Sequence, residues 1–483
     1  MPSKLSSSSG KEFRALTVDF GTTRCKAAVI DARGGVLALA AAENSLLKKG
    51  EGIYEQEAIE FEQSLARCLR RVLARSRRSV DVVVVTGQGS APICLDDSGK
   101  PVAPVISHFD TRAGEERRAM REEVGNMGYV DSKIFPNLLW MKKNETGRFR
   151  RVKHVLDVRE YVGYLLTGKY THDVWSLEQG RIDELSAYVG IDSEAFGGSH
   201  DYAHAVGSSS SRAERRFGIK KGVPVLQAPG DTVCAAVGSG LGRSGTACDV
   251  AGSTEVVAAL VPEGMLPTSL RLYQIPHVAE GRSFLFMSPP HGFIFKWFVD
   301  TFYGQTPKER RYAAVDREVA GVQASDTNPI FVPLIGTGGF SYRIESQFFQ
   351  IGISHTRANL ARSVMEGLAM RVRMALDGIR ESGIGVEKVR LSGGGATSEV
   401  WNQIRTDIFG MDSELIQTRE ASSLGAGMIA AVAAGAYGDI FKAEEGMVHV
   451  TKHYTPRKAF AGLYDAVYED FRTKLETLEK SEA

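Results

Sequence analysis

The chain has 483 residues, 43% of them hydrophobic and 24% charged, with a formal net charge of +1. That length exceeds one ordinary core and predicts a globular protein of two or three domains. The balanced charge excludes a bulk field for nucleic acid or an anionic membrane, so an anionic ligand needs a local site, and no apolar run approaches the roughly 20 residues that span a bilayer.

The opening "MPSKLSSSSGKEF" has no apolar centre and reads as a polar, flexible tail over 1–12. Two strands are expected at about 14–21 and 25–31, then a turn at "DARGG" and a third strand at 35–42. Residues 57–76 have a helical pattern. "DVVVVTGQ" (81–88) is a β-branched run of the kind buried on both faces of a parallel strand. "LDDSGKPV" marks a turn, and 155–167 reads as a helix that stops at Gly168. "VPVLQAPGD" (223–231) predicts a strand running into a loop, and "TVCAAVGSG" the helix after it.

The second half repeats the theme. "GTACDVAGSTEVVAAL" (245–260) is again an acid, a Gly-Ser-Thr and an apolar run, and the acids Asp19 and Asp249 lie 230 residues apart. This predicts two similar α/β domains, 13–243 and 244–483, each opening with a hairpin. Residues 355–379 carry Leu360, Val364, Leu368 and Val372 at helical spacing. Residues 389–410 read as strand, glycine loop and amphipathic helix, with Val400, Ile404 and Ile408 four apart, and 422–435 as a small-residue helix suited to close burial. "GLGRSG" (240–245) fits G-x-G-x-x-G, but no helix with a suitably placed acid follows, so it reads as a linker. No G-x-x-x-x-G-K-[ST] loop occurs, which argues against a P-loop kinase. The five cysteines (25, 68, 94, 234, 248) are scattered without a C-x-x-C pair, so neither a disulfide framework nor a zinc site is expected and a reducing cytoplasm is.

Chemistry concentrates in a few places. In "VDFGTTRCKAAVID" (18–31) an apolar run ends at Asp19, and Gly21, Thr22 and Thr23 precede the next run. Such a turn presents backbone N–H groups and hydroxyl donors to a phosphate, while Asp19 can hold Mg²⁺ through water. The alternative is an ordinary tight turn with a capping Asp. A second tip at Gly252, Ser253 and Thr254 favours the phosphate reading, because two tips across a cleft would grip a triphosphate from both sides. Asp231 fits either a helix N-cap or a general base for a hydroxyl. The bare backbone of Gly394, Gly395 and Ala396 can lie against a purine and ribose, or simply make a strand-to-helix turn. Asp110 and Arg112 would bind a polyol or form a surface ion pair. Glu366, within a helix, is expected to be structural.

Assembled in order, these segments closely resemble the FGGY carbohydrate kinases, part of the sugar kinase, heat-shock chaperone and actin superfamily, from about residue 14 to 440. "VDFGTTRCKAAVID", "VVTGQGSAPICLDDSGKPVAPVISHFDTRA", "PGDTVCAAVGSG", "DVAGSTEVV", "GISHTRANLARSVMEGLA" and "LSGGGATSEVWNQIRTDIFG" stand in the family's order. The resemblance implies two ribonuclease-H-like (actin-like ATPase) domains flanking a deep cleft, ATP, Mg²⁺ and an open-chain sugar, with no nucleic-acid or membrane partner; it allows a homodimer. By motif match Asp231 is the base and Asp19 the magnesium-side carboxylate. Gly21, Thr22, Thr23, Lys26, Gly252, Ser253 and Thr254 fall at the phosphates, and Gly394, Gly395 and Ala396 at the adenosine. Gln88, Gly89, Ser90, Asp110 and Asp231 fall at the sugar.

The chain departs from the family at the sugar. Met-His or Arg-Glu usually follows the Gln of "TGQ", whereas Gly89-Ser90 stands here. "HF" replaces a Trp before Asp110, and "PLIGTGGF" (333–340) lacks Gly-Glu-Arg-x-Pro. A small pair at 89–90 leaves room, which suggests a ketopentose such as xylulose or ribulose, or a related polyol. A nucleotide-gated binding protein and a sugar-sensing kinase homologue stay open as other uses of the same fold.

Overall fold

The structure is a computed structural model that describes residues 13–76, 79–125, 131–173, 179–202, 204–242, 245–252, 255–265, 272–289, 292–333 and 346–482. The chain divides into two compact units: residues through Cys234 with Ser422–Met447, and Ala235–Ala421 with Val448–Ala483.

In the first unit, β1 (Arg14–Phe20), β2 (Arg24–Asp31) and β3 (Val36–Glu43) form an antiparallel meander. Helix α1 (Ala58–Ser76) buries Phe61, Leu65, Leu69 and Val72, a stripe at three- and four-residue steps that faces the sheet. β4 (Val82–Gly87) runs parallel to β1, and its Val82–Val85 run is buried on both faces because β4 is central. Helix α2 (Val158–Thr167) ends at Gly168 as expected, in a left-handed φ of +81°. Its start differs from expectation: His154–Leu156 pairs as a short strand with Ile93–Leu95, and Asp157 then caps the helix in a capping box with Glu160. Short strands β5 (Thr171–Asp173) and β6 (Gly198–His200) pair with each other. β7 (Gly207–Ser208) and β8 (Pro224–Gln227) complete a six-stranded sheet of order β7-β8-β4-β1-β2-β3, and α3 (Asp231–Gly238) follows.

The second unit repeats the plan. β9 (Gly245–Ala251), β10 (Glu255–Pro262), β11 (Tyr273–Pro276) and β12 (Arg282–Met287) precede α4 (Arg357–Glu381), β13 (Val386–Gly393), α5 (Glu399–Phe409) and β14 (Asp412–Ile416). The last strand of this unit is β15 (Val450–Tyr454), whereas helix α6 (Ala421–Ala433), which precedes it in the chain, belongs from Ser422 on to the first unit. The sheet order is β11-β12-β10-β9-β13-β14-β15. Apart from the extra edge strand β11, order and strand directions match the first sheet, so the internal repeat is structural. Val364, Leu368 and Val372 of α4 are buried with Trp401, Ile404 and Ile408 of α5 in this unit's core. Trp401 Nε1 donates to Met365 O at 3.1 Å and ties the two helices.

Register shows which residues of the repeat correspond. Gly87 lies beside Phe20, and a Cβ there would sit 2.5 Å from Phe20 O; Gly393 lies beside Ala251, with a Cβ 2.5 Å from Ala251 O. Phe20 therefore corresponds to Ala251, and Asp19 to Val250. The two acids that look equivalent in the sequence are one step out of register, and successive side chains take opposite faces. Asp249 is fully buried, 3.6 Å from Arg405 of α5.

All five cysteines are free and buried. Glu366 is buried against Arg362 and Tyr464, consistent with a structural role. Among the described residues no helix is long and apolar enough to cross a membrane.

Candidate active site

The first hairpin tip is built on β1 and β2, whose register sets half-buried Asp19 opposite Lys26. Gly21 N–H donates to Arg24 O at 3.0 Å and closes the turn, so it is not available to a ligand as the sequence suggested. The N–H groups of Thr22 and Thr23 meet no acceptor among the described residues. Every carbonyl of the tip is held from behind. Asn44 Nδ2 donates to Gly21 O (2.9 Å), Gln56 Nε2 to Thr22 O (2.7 Å) and Asn44 N to Thr23 O (2.9 Å). With its acceptors paired and two donors open, the tip suits an anion. Thr22 Oγ1 gives its hydrogen to Gln88 Oε1 at 2.5 Å. It therefore offers lone pairs rather than the donor expected, while Thr23 is exposed.

Gln88 also donates through Nε2 to Gln56 Oε1 at 3.3 Å, so the sugar-side segment and the phosphate-side tip share one support. That support is the four-residue strand Ile53–Gln56, which sequence reasoning missed. Tyr54 N–H donates to Asp110 Oδ2 (2.7 Å), and Glu55 pairs with Arg112 (2.9 Å). Arg112 also donates to both oxygens of Asp110. The Asp110 carboxylate is thus buried, with both oxygens engaged, and Arg112 is largely covered, so the pair is not a surface ion pair. Nothing local in the sequence marks Asn44 or Gln56, because their partners lie 23 and 34 residues away.

Residues 89–91 close around a carboxylate. Asp157 Oδ2 accepts from Ser90 N (2.9 Å) and Oδ1 from Ala91 N (3.2 Å). Ser90 is fully buried at φ +67°, and a Cβ on Gly89 would lie 3.1 Å from Asp157 Oδ2. The small pair therefore makes room for Asp157, which is a different use of that space from the one the sequence suggested. The Asp157-x-x-Glu160 capping box was the one legible trace of it.

Asp231 opens α3 after Pro229 and Gly230. Its Oδ1 accepts from Thr232 N at 2.8 Å, and no donor among the described residues reaches Oδ2. The capping and base roles are thus compatible: one oxygen serves the helix terminus and the other remains for a proton. Burial raises the Asp231 pKa above the usual carboxylate range, opposed by Thr232 N–H, Arg159 and Lys26. Cys234, one turn on, feels both Asp231 and Asp19, and burial first of all pushes its thiol up to about 12. Asp19, Lys26, Asp231 and the Thr22–Gln88 pair are therefore one neighbourhood of the first unit.

In the second unit, Gly252 N–H donates to Val250 O at 3.0 Å, while Ser253 and Thr254 lie outside the described residues, as does most of "PLIGTGGF". Beside this tip Glu255 is fully buried. Burial and then Asp249 hold its carboxyl well above the usual range, with Arg405 opposing. Gly394 is exposed and Gly395 half-buried, in a single 3₁₀ turn before α5. Asn402 Nδ2 donates to Ala396 O at 2.8 Å and Ser398 Oγ accepts Trp401 N–H at 3.1 Å, so the turn is fixed from the helix side. The Ala396 side chain is buried, so residues 394–396 present mainly backbone, beside the exposed Thr397, whose Oγ1 donates to Gly394 O at 2.8 Å.

Comparison with known proteins agrees over nearly the whole chain. The N-terminal domain of the FGGY family of carbohydrate kinases matches residues 14–238, and the C-terminal domain of the same family matches 292–434. A probable L-xylulose kinase of Pasteurella multocida is 24% identical over 490 residues, covering 95% of this chain and 97% of its own. A xylulose kinase of Staphylococcus epidermidis is 24% identical, covering 94% of each chain. Among solved structures, xylulose kinase from Rhodospirillum rubrum superposes with a TM-score of 0.81 at 23% identity, covering 98% of this chain and 100% of its own. Gluconate kinase from Lactobacillus acidophilus gives a TM-score of 0.83 at 17% identity, covering 98% and 99%. At such identities the structural likeness is one of fold.

Proposed function

Because the chain belongs to the FGGY family of carbohydrate kinases, we propose that it moves the γ-phosphoryl group of ATP to a hydroxyl of a ketopentose such as xylulose or ribulose. It is an ATP-dependent sugar kinase; the ketopentose is the finer reading, supported by the names of its relatives, xylulose and L-xylulose kinases. The observation that carries the mechanism is Asp231, with Oδ1 anchored by Thr232 and Oδ2 without a donor among the described residues. Oδ2 takes the proton of the attacking hydroxyl. Raised by burial, this carboxylate is a better base than an exposed one yet is kept ionisable by Arg159 and Lys26.

The unpaired N–H groups of Thr22 and Thr23 receive phosphate oxygens, where preorganised donors stabilise developing charge without rearrangement. Lys26 adds a cation beside them. Gly252, Ser253 and Thr254 are assigned to phosphate as well, and Gly394, Gly395 and Ala396 to the adenosine through their backbone. Gln88, Gly89 and Ser90 are assigned to the sugar, with Asp110 fixing Tyr54 and Arg112 beneath them.

Mg²⁺ fits this donor set. No group of three or more His, Cys, Asp or Glu that could hold a metal occurs among the described residues. One or two carboxylates beside a phosphate nest is the arrangement of an ion that arrives with the nucleotide and keeps most of its waters. Asp19 would hold it through water, with the Thr22 Oγ1 lone pairs as a further acceptor. When bound, the ion neutralises charge on the transferring phosphoryl group.

The test is sugar-stimulated ADP release measured across ketopentoses, polyols, aldonates and glycerol. Stimulation by a ketopentose above all others is expected. Turnover with an aldonate or glycerol alone refutes the substrate class, and sugar binding without turnover favours a sensor. Asp231→Asn should lower turnover by about 10²–10⁴-fold while ATP binding survives.

A further inference from the structure

A buried charge cluster packs against the Asp231 loop, and its Arg159, besides being a cation near Asp231, makes contacts that the phosphoryl-transfer steps do not use. Arg159 stands in the first turn of α2 with its side chain only 3% exposed. Its Nη1 donates to Ala228 O at 2.9 Å, three residues before Asp231, and to Asp173 Oδ2 at 3.3 Å. Nη2 lies 3.8 Å from Asp157 Oδ2, the oxygen that accepts Ser90 N–H. The backbone of Arg159 grips the same strand end, because Gln227 Nε2 donates to Arg159 O at 3.3 Å. Helix and strand are close enough there that a Cβ on Gly163 would lie 2.0 Å from Gln227 Nε2.

A buried guanidinium carries a desolvation penalty that well-packed apolar side chains avoid. What it offers instead is a rigid planar fork that addresses several acceptors at fixed angles. Here the fork spans the carbonyl of the loop bearing the base and the carboxylate that holds residues 90–91. We propose that Arg159 is a positioning residue: its fork fixes the Ala228–Asp231 loop relative to the 88–91 segment and thereby sets Asp231 against the sugar hydroxyl. This rests on the reading of Asp231 as the base. Among the described residues, the charged and titratable groups that face Arg159 include Asp157 at the cap of α2, Glu160 from α2, Asp173 from β5, His200 from β6, and Asp231 and Cys234 from α3. Asp231 itself is faced by Arg159, Lys26 and the thiol of Cys234.

Arg159→Lys keeps the charge and loses the fork; Arg159→Met loses both. Each is compared with the unaltered protein and with Asp231→Asn by ADP release from pH 5 to 9, with thermal unfolding in parallel. In Arg159→Lys kcat should fall about 10²-fold, the scale of a misplacement of about 1 Å, while KM for ATP stays within about twofold and the acid limb stays in place. In Arg159→Met the acid limb should also move to higher pH, because Asp231 loses a cation that favours its ionised form. A folded Arg159→Lys with unaltered kcat overturns the proposal, as does a folded Arg159→Met with an unmoved limb. Should neither variant fold, Asp173→Asn loosens the same fork from the other side, and an unchanged kcat there overturns it equally. If Asp231→Asn retains turnover, the base reading fails. If Asp231→Asn is inactive while Arg159→Lys behaves as the unaltered protein, only the positioning role fails.

Discussion

Asn44 isolates the first hairpin tip from the rest of the site. The residue is 7% exposed, and its Oδ1 takes no hydrogen bond among the described residues. The side chain's whole polar contribution is therefore the 2.9 Å bond from Nδ2 to Gly21 O. Asn44→Ala removes that bond but leaves the backbone donor to Thr23 O. A neutral intramolecular hydrogen bond is worth about 1 kcal/mol net, with a range of about 0.5–1.5, which converts to about 5-fold, within about 2- to 13-fold, in an equilibrium constant. Gly21 O, released, becomes an acceptor that can turn toward the triphosphate. The expected outcome is a KM for ATP raised about 5-fold, with sugar KM unchanged and thermal stability lowered by about the same 1 kcal/mol. Asn44→Asp should do more, because it sets a carboxylate against a carbonyl and beside an anionic ligand. The measurement is steady-state ADP release with ATP and sugar varied in turn. A sugar KM that rises while that for ATP holds would refute the assignment of this tip to phosphate.

Two further outcomes follow from the same geometry. Gly393→Ala combines a φ of +84° with a Cβ 2.5 Å from Ala251 O, so about 1–3 kcal/mol of strain is expected and the denaturant midpoint should fall accordingly; a midpoint equal to that of the unaltered protein would show that β9 and β13 can part at little cost. Glu160 has its pKa raised to about 8 by burial and by Asp157. Between its ordinary value and about 8 the folded chain holds a proton that the unfolded chain has released, so this group's contribution to stability declines as pH rises through that window. Melting temperatures taken from pH 5.5 to 8.5 should show that decline, and Glu160→Gln should flatten it; an identical slope in the variant would mean the proton resides elsewhere.

The hairpins, the central β-branched strand, the long helices and their buried faces were legible because their signals are local. Turn chemistry at Gly21 and Gly252, and apolar spacing at Val364, Leu368 and Val372, act within a few residues of each other. The order of the segments sufficed to bring Asp19, Lys26, Gln88 and Asp231 into one site description. The start of α2 was misread because His154–Leu156 is apolar enough to extend a helical pattern, and only pairing with Ile93–Leu95 makes it a strand.

By itself, the sequence determined the types of element, their order, the doubled α/β plan and which residue types could meet a phosphate or take a proton. Tertiary structure alone decided what stands behind those residues. Asn44 and Gln56 hold the tip's carbonyls from distant positions, and Asp157 fills the space beside Gly89. Residues 422–447 join the first unit, where Tyr437 Oη donates to Ala32 O at 2.6 Å across 405 residues. Asp249 only mimics Asp19, since its strand register turns it into the core toward Arg405. The physical reason is one of range: propensity and turn chemistry act between neighbours, whereas register and partner choice are set by which distant surfaces can be buried together with every polar group satisfied.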